Sequence, residues 1–297
     1  MLSRVASRLN QVLDLTPRET WRLVRQRLPS GGNAKPWTPM DLLGSAKHRH
    51  GIRFAELLLR QEAVVRRHMA WEPLDFENAR VVEIGCGPLG GYGPLAIFRG
   101  AESFESAEPE WDADLFFSDE VAQRYFLTMH ADLTALYGAR MDFDAFLKAL
   151  RERMKIQNCG FDKAAIPAKA DIVLSQSCLE HVFPLKESIE ALAAIQNAKT
   201  RFLHLVDFGN HYLSGNPFDG LYDQPPEAYI ERRGKAINML RSSDVSQQFE
   251  EAGIAAQTIP SRVLPASYNG EIDPWWRERY DDDSLFTQLV LVASPAQ

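Results

Sequence analysis

Apolar positions recur at helical spacing over two stretches at the N-terminus. Leu2, Val5, Leu9 and Val12 mark one stripe, and Trp21, Val24 and Leu28 mark another. The second opens on Thr16-Pro17-Arg18-Glu19, a capping-box start with proline at the first helical position. Ser30–Asn33 followed by Lys35-Pro36 reads as a linker. A longer helix is predicted from about Ile52 to Met69, with Phe54, Leu57, Leu58 and Val64 as its buried face. From residue 80 the pattern changes to short apolar runs separated by helical stretches. Strands are predicted at Val81–Ile84, Ser103–Pro109, Lys155–Asn158, from Asp171, at Arg201–Val206, Ile254–Ile259 and Leu285–Ala293. Helices fall between them, near 119–136, 142–154 and 184–197, and one capped by Ser242-Ser243-Asp244 stops at Ala252-Gly253. Alternating strands and helices predict an α/β chain with a mostly parallel sheet. No internal repeat or low-complexity segment interrupts it.

Composition narrows the class without fixing it. With 297 residues, 45% hydrophobic and 25% charged, the chain can bury a full core. A net charge of -7 and a pI near 5.6 argue against nucleic-acid binding, which needs a basic face. Residues 1–30 depart from this balance, with six arginines against two acids. They are expected to pack on the core as two short amphipathic helices, the sharper alternative being peripheral contact with anionic membrane or a partner. Cys86, Cys159 and Cys178 are too few and too scattered for a disulfide framework or zinc site, which fits a cytoplasmic protein. No apolar run reaches membrane-spanning length.

The chemistry concentrates where the first predicted strand ends. Glu83-Ile84-Gly85-Cys86-Gly87-Pro88-Leu89-Gly90 places two glycines where a ligand can touch bare backbone, ahead of a helix opened by Pro94. Gly85-x-Gly87-x-x-Gly90 alone also matches the dinucleotide fingerprint. Glu83 shifts the balance, because a carboxylate in an apolar central strand is costly without a partner. Glu108, 18 positions after Gly90, falls at the expected end of the second strand, where a carboxylate can accept ribose hydroxyls.

This stretch resembles motif I of the class I S-adenosylmethionine (SAM)-dependent methyltransferases, an acid, one residue, then Gly-x-Gly. Ser177-Cys178-Leu179-Glu180-His181-Val182, after the fourth strand, resembles motif IV of the same superfamily. The resemblance covers about 80–293. It implies a doubly wound, seven-stranded Rossmann-like α/β methyltransferase sheet with the last strand antiparallel. The division it suggests is 1–33 as an N-terminal helical extension, 34–79 as a helical lead-in, and 80–293 as the methyltransferase domain. Residues 110–153 exceed a simple crossover and form an extra element. SAM is the implied cofactor, with Glu83, Gly85, Gly87, Glu108, Asp162, Ser177 and Cys178 as its contacts; Asp162, before Pro167, resembles the acid that meets the adenine amino group. A NAD(P)-dependent oxidoreductase and a non-catalytic scaffold subunit stay open as alternatives.

On the acceptor side, an alcohol must lose a proton as it attacks, and an imidazole can take it near neutral pH. His211, just past the fifth strand, is the leading base, with Asp207 able to orient it and His181 second. Asp207, Asn210 and His211 would alternatively bind a divalent cation, as in metal-assisted catechol O-methylation; that group uses an acid at the end of the fourth strand, where this chain has Gln176 and Ser177, so no metal is expected. Residues 207–241 are read as a substrate-side insertion. Asp207…His211 and Asn238–Ser243 before the Phe249–Gly253 helix resemble a subgroup of bacterial glycan and capsule methyltransferases, which suggests a saccharide or other small-molecule acceptor. The aromatics of 212–229 with Trp275-Trp276 offer either a sugar-stacking surface or a buried cluster. Oligomerisation is open.

Overall fold

Val81, Val82 and Ile84 are β-branched and flanked on both sides by other strands, so the first strand, β1 (Arg80–Ile84), reads as a nearly continuous apolar run. In the computed structural model it sits at the middle of a seven-stranded sheet of order β3-β2-β1-β4-β5-β7-β6. The other strands are β2 (Ser103–Ala107), β3 (Met154–Gln157), β4 (Ile172–Gln176), β5 (Arg201–Asp207), β6 (Gln257–Val263) and β7 (Thr287–Ala293). The first five run parallel, and β7 is antiparallel to both β5 and β6. This is the doubly wound sheet with an antiparallel last strand that the two motifs implied. The structure describes residues 38–46, 50–166, 169–211, 216–264 and 268–294. The N-terminal helices expected within 1–33 and the linker through Pro36 lie outside the described residues, as do Pro167 and Tyr212.

Two helices precede the sheet, α1 (Pro39–Ala46) and α2 (Gly51–His68). Phe54 and Leu58 of α2 are buried as predicted, with Val65, in the same apolar cluster as Val81 of β1. The lead-in therefore belongs to the core of the sheet. After β1 come α3 (Gly93–Phe98) and, beyond β2, α4 (Ala113–Phe116). A longer helix, α5, runs from Asp119–Val121 through a π-helical turn at Ala122–Phe126 into Leu127–Tyr137. With α6 (Phe143–Arg153) it forms the extra element predicted between β2 and β3. His50, half-buried, meets Asp132 of α5 at 2.9 Å, which ties the start of α2 to α5.

The second half continues with α7 (Leu185–Ile195), α8 (Pro226–Arg233), α9 (Ser242–Glu251), α10 (Pro274–Arg277) and α11 (Asp282–Phe286). Two strand boundaries differ from expectation, each for a local reason. Gly253 takes φ +71° and the Ile254 amide bonds the Phe249 carbonyl, so β6 starts at Gln257 and runs to Val263. Asp281 accepts from the Ser284 amide at 2.7 Å and caps α11, so Leu285 and Phe286 are helical and β7 starts at Thr287.

Residues 216–241 form a third apolar cluster with the β6–β7 connection. Phe218, Leu221, Tyr222, Tyr229, Ile237 and Met239 pack there with Trp276, Leu285 and Phe286. The side chain of Arg241 is buried among them, donating to the Phe208 carbonyl at 3.2 Å and the Tyr222 hydroxyl at 3.0 Å. Of the two readings of these aromatics, the buried cluster is the one that Phe218, Tyr222, Tyr229 and Trp276 follow, all fully buried. Burying a large ring is worth more than exposing it, and these rings had each other to pack against.

Candidate functional site

The strand order reverses between β1 and β4, and their carboxyl ends open a crevice of the kind in which α/β sheets bind ligands. Two loops leave this point and touch each other. Gly85 takes φ +66°, and a Cβ built on it would come 2.2 Å from Cys178 Sγ. The predicted first motif is thus lodged against the predicted second one, with no room for a side chain between them. Gly87 also takes φ +66°. Ser177, with φ +48°, carries the left-handed turn that follows β4 and donates its amide to the Leu205 carbonyl at 2.9 Å. Such a conformation in a non-glycine residue costs about 1–3 kcal/mol and marks functional turns.

Two carboxylates hold the glycine loop. Glu83 is 1% exposed and accepts from the Tyr92 amide at 2.8 Å, at the start of α3. A Cβ at Gly91 would come 2.3 Å from Glu83 Oε2, so the loop wraps the carboxylate closely. Glu83 therefore acts through the loop it braces and the negative charge it places below it. Glu108, half-buried just beyond β2, accepts from the Gly87 amide at 2.9 Å through one oxygen. Its other oxygen accepts from the Glu110 amide at 3.0 Å. Asp162 is exposed, on a turn of 3-10 helix (Phe161–Lys163) after β3. The site residues expected from the first two strands and the fourth thus converge, and Asp162 lies on the next loop along the same edge.

Three polar side chains missed in the sequence close this end from the other side. Gln61 of α2 donates to Gln176 Oε1 at the end of β4, and the Tyr92 hydroxyl donates to the same oxygen at 3.3 Å. They tie α2 across the crevice to the sheet. The signal was Gln61 itself, a polar residue that with Glu62 interrupts the buried face of an amphipathic helix.

Beyond β4 and β5, His181 and His211 stand edge to face with ring centroids 4.8 Å apart. Asp207 does not orient His211 through its carboxylate. That group accepts from the Gly209 amide at 2.9 Å and the Gln288 amide at 3.2 Å, while the Asp207 main-chain carbonyl meets His211 Nε2 at 3.1 Å. Asn210 is also turned away, donating to the carbonyls of Asn216 and Asp219 at 3.2 and 2.8 Å. His181 Nδ1 lies 2.6 Å from the Ala236 carbonyl, which fixes that nitrogen as the donor. Burial lowers the His181 pKa, the Ala236 carbonyl opposing in part.

Glu180 lies behind both imidazoles and was not anticipated as a site residue. It is 2% exposed, and neither carboxylate oxygen has a hydrogen-bond partner among the described residues. Burial pushes its pKa up to about 8, the nearby Glu180 and Asp207 amides opposing and the charge of Asp207 adding. A carboxylate in apolar surroundings needs a partner, and this holds for Glu180 after Leu179 as it does for Glu83, so the signal was present in the sequence.

No family model matches the chain, and neither does any curated protein. Solved structures do resemble it. An S-adenosylmethionine-dependent methyltransferase from Mesorhizobium loti is 12% identical with a TM-score of 0.41, over 78% of this chain and 94% of that one. The YcgJ protein from Bacillus subtilis is 14% identical with a TM-score of 0.41, over 79% of this chain and 97% of that one. The mitomycin 7-O-methyltransferase MmcR is 14% identical with a TM-score of 0.36, over 93% of this chain and 68% of that one. Likenesses this distant concern fold and nothing finer; the strand order stands on this chain's own hydrogen bonds.

Proposed function

We propose that the protein is a SAM-dependent methyltransferase acting on a hydroxyl of a small molecule. The observation that carries this reading is the contact between Gly85 and Cys178, where both glycine-loop and post-β4 turns meet at the switch point, braced by Glu83 and Glu108. A bare-backbone cradle with a carboxylate beside it suits a ligand with ribose hydroxyls. Glu83 adds negative charge under a cationic ligand, which a nicotinamide dinucleotide does not require. The residues present therefore fit SAM. Gly85 and Gly87 would receive it along the backbone, Glu108 the ribose, Asp162 the adenine edge, and Ser177 and Cys178 the methionine end.

When bound, SAM supplies an electrophilic methyl carbon: the acceptor oxygen forms a C–O bond as the C–S bond breaks, its electron pair staying on sulfur. What the chain contributes is alignment, which can account for much of the rate. His211 is assigned the acceptor's proton, held by the Asp207 carbonyl, with His181 beside it. A saccharide acceptor is a finer possibility that the buried aromatic cluster no longer favours.

Isothermal titration with S-adenosylhomocysteine and with NAD tests the class. The expected result is S-adenosylhomocysteine binding at low-micromolar Kd, about -7 to -8 kcal/mol, and no NAD binding. NAD binding without S-adenosylhomocysteine would establish the oxidoreductase instead, and binding of neither would favour the scaffold.

A further inference from the structure

Glu180 presents a problem that the methyl-transfer reading does not solve. Its carboxylate is 2% exposed and has no hydrogen-bond partner among the described residues, yet two imidazole nitrogens face it. His181 Nε2 is 4.0 Å and His211 Nε2 3.9 Å from Glu180 Oε1. One ligand-type atom from each of the three residues lies within 4.8 Å of the others. These separations are too long for hydrogen bonds and too regular to be solvent-facing chance, since Glu180 is sealed from water on its own side.

We propose that Glu180, His181 and His211 bind a divalent transition-metal cation, of the zinc, iron or manganese class. Two imidazoles and one carboxylate suit those ions, whereas magnesium and calcium prefer oxygen ligands. The orientation of His181 supports this. Its Nδ1–H donates to the Ala236 carbonyl, which leaves Nε2, 4.0 Å from Glu180 Oε1, as the nitrogen with the lone pair, the tautomer found at metal-ligating histidines. His211 is held at φ +56°, a left-handed conformation that a β-carbon-bearing residue adopts at a cost, and that turn is what brings its ring beside His181.

Bonds of about 2.0–2.2 Å to one cation put neighbouring ligand atoms about 3–3.5 Å apart. The observed 3.9 and 4.0 Å to Glu180, within a group spanning up to 4.8 Å, therefore require closure by about 0.5–2 Å. His211 Nε2 would exchange the Asp207 carbonyl for the cation. Only three protein ligands converge, and both imidazoles are partly exposed, with side-chain accessibilities of 42% and 30%. That leaves coordination positions open on the acceptor side, the pattern of a catalytic and not a structural site.

Binding itself does not depend on the methyl-transfer reading; the cation's role in turnover does. With a cation bound, His211 is a ligand and no longer the base. The cation's charge would then lower the pKa of an acceptor hydroxyl, the proton passing to solvent.

The test uses chelator-stripped full-length protein titrated with Zn²⁺ by calorimetry and with Co²⁺ by visible absorption. One equivalent should bind, and Co²⁺ should give d–d bands of nitrogen and oxygen ligation. Glu180→Gln, His181→Ala and His211→Ala should each weaken binding at least tenfold. Circular dichroism and S-adenosylhomocysteine titration of the same variants report the fold and the cofactor groove separately. His181 is the most exposed of the three, so its variant remains informative if Glu180→Gln misfolds. No binding by the parent, or undiminished binding by folded His181→Ala and His211→Ala, would overturn the assignment. Metal binding without S-adenosylhomocysteine binding would instead sink only the methyl-transfer reading.

Discussion

At the scale of single residues, the site is defined by places where a side chain cannot be. Gly85 combines a left-handed φ of +66° with the 2.2 Å approach to Cys178, two separable penalties. Gly85→Ala should therefore destabilise the protein by roughly 1–3 kcal/mol and weaken S-adenosylhomocysteine binding at least tenfold. Adding Cys178→Ala removes the sulfur the new methyl would strike, and should restore part of the stability but leave the backbone penalty. Thermal melts of the single and double variants read this directly; a double variant no more stable than Gly85→Ala would show that Cys178 is not the obstacle. Glu108→Ala is different in kind. It frees the Gly87 amide and removes the group offered to the ribose, so affinity should fall by about 1–3 kcal/mol with the fold intact. Unchanged affinity in calorimetry would place the cofactor elsewhere.

At the scale of elements, legibility followed periodicity and turn chemistry. The strand–glycine–helix unit, α2 and the parallel order were readable because Val81–Ile84 and the Phe54, Leu58 stripe have unambiguous periods. The start of β7 was not, because Leu285 and Phe286 continue an apolar run while Asp281 caps them into a helix. The acceptor side was half legible. His181 and His211 were chosen by their distance from strand ends, but that Glu180 stands behind both depends on packing between residues 31 apart in sequence, which no local pattern reports. The aromatic segment after β5 was left between a surface and a buried cluster for the same reason: its rings find Trp276 and Phe286 in the β6–β7 connection. That cluster is separate from the two that support the sheet. Trp276→Ala, costing about 3–5 kcal/mol locally, should raise hydrogen exchange across 216–241 and 268–286. Exchange in β1 and β4 should stay slow, and S-adenosylhomocysteine affinity should remain within about twofold. Uniform loss of protection would mean that the insertion and the sheet open as one unit.

At the scale of the whole molecule, stability against pH is set by buried groups that oppose one another. Burial raises the carboxyl of Glu62, which accepts from the Leu74 amide at 2.6 Å. Its contribution is full below the ordinary carboxylate range and is lost as pH rises. Asp171 runs the other way: against the penalty of burial, its bonds to Arg80 hold it below that range, so its contribution is lost as pH falls. His204 acts in this second direction, and more strongly. It lies on β5 opposite Ser175 of β4, with no exposure, Nδ1 2.9 Å from Ser175 Oγ, and its Nε2 has no hydrogen-bond partner among the described residues. Burial pulls its pKa from 6.5 down to about 3. The unfolded chain therefore takes up a proton below pH 6.5 that the folded chain refuses until about 3, and stability falls across that window. The loss approaches about 1.4 kcal/mol per pH unit, or roughly 2 kcal/mol between pH 7 and 5. Because the carboxyls act at the same time, the contribution is read as a difference between proteins. His204→Gln can retain a bond to Ser175 and cannot be protonated. Urea unfolding at pH 7 and pH 5 should show the parent losing about 2 kcal/mol more than the variant over that interval. Parallel losses would mean that the imidazole is solvated or charged inside the sheet, and that β4 and β5 are less tightly closed around it than their burial implies.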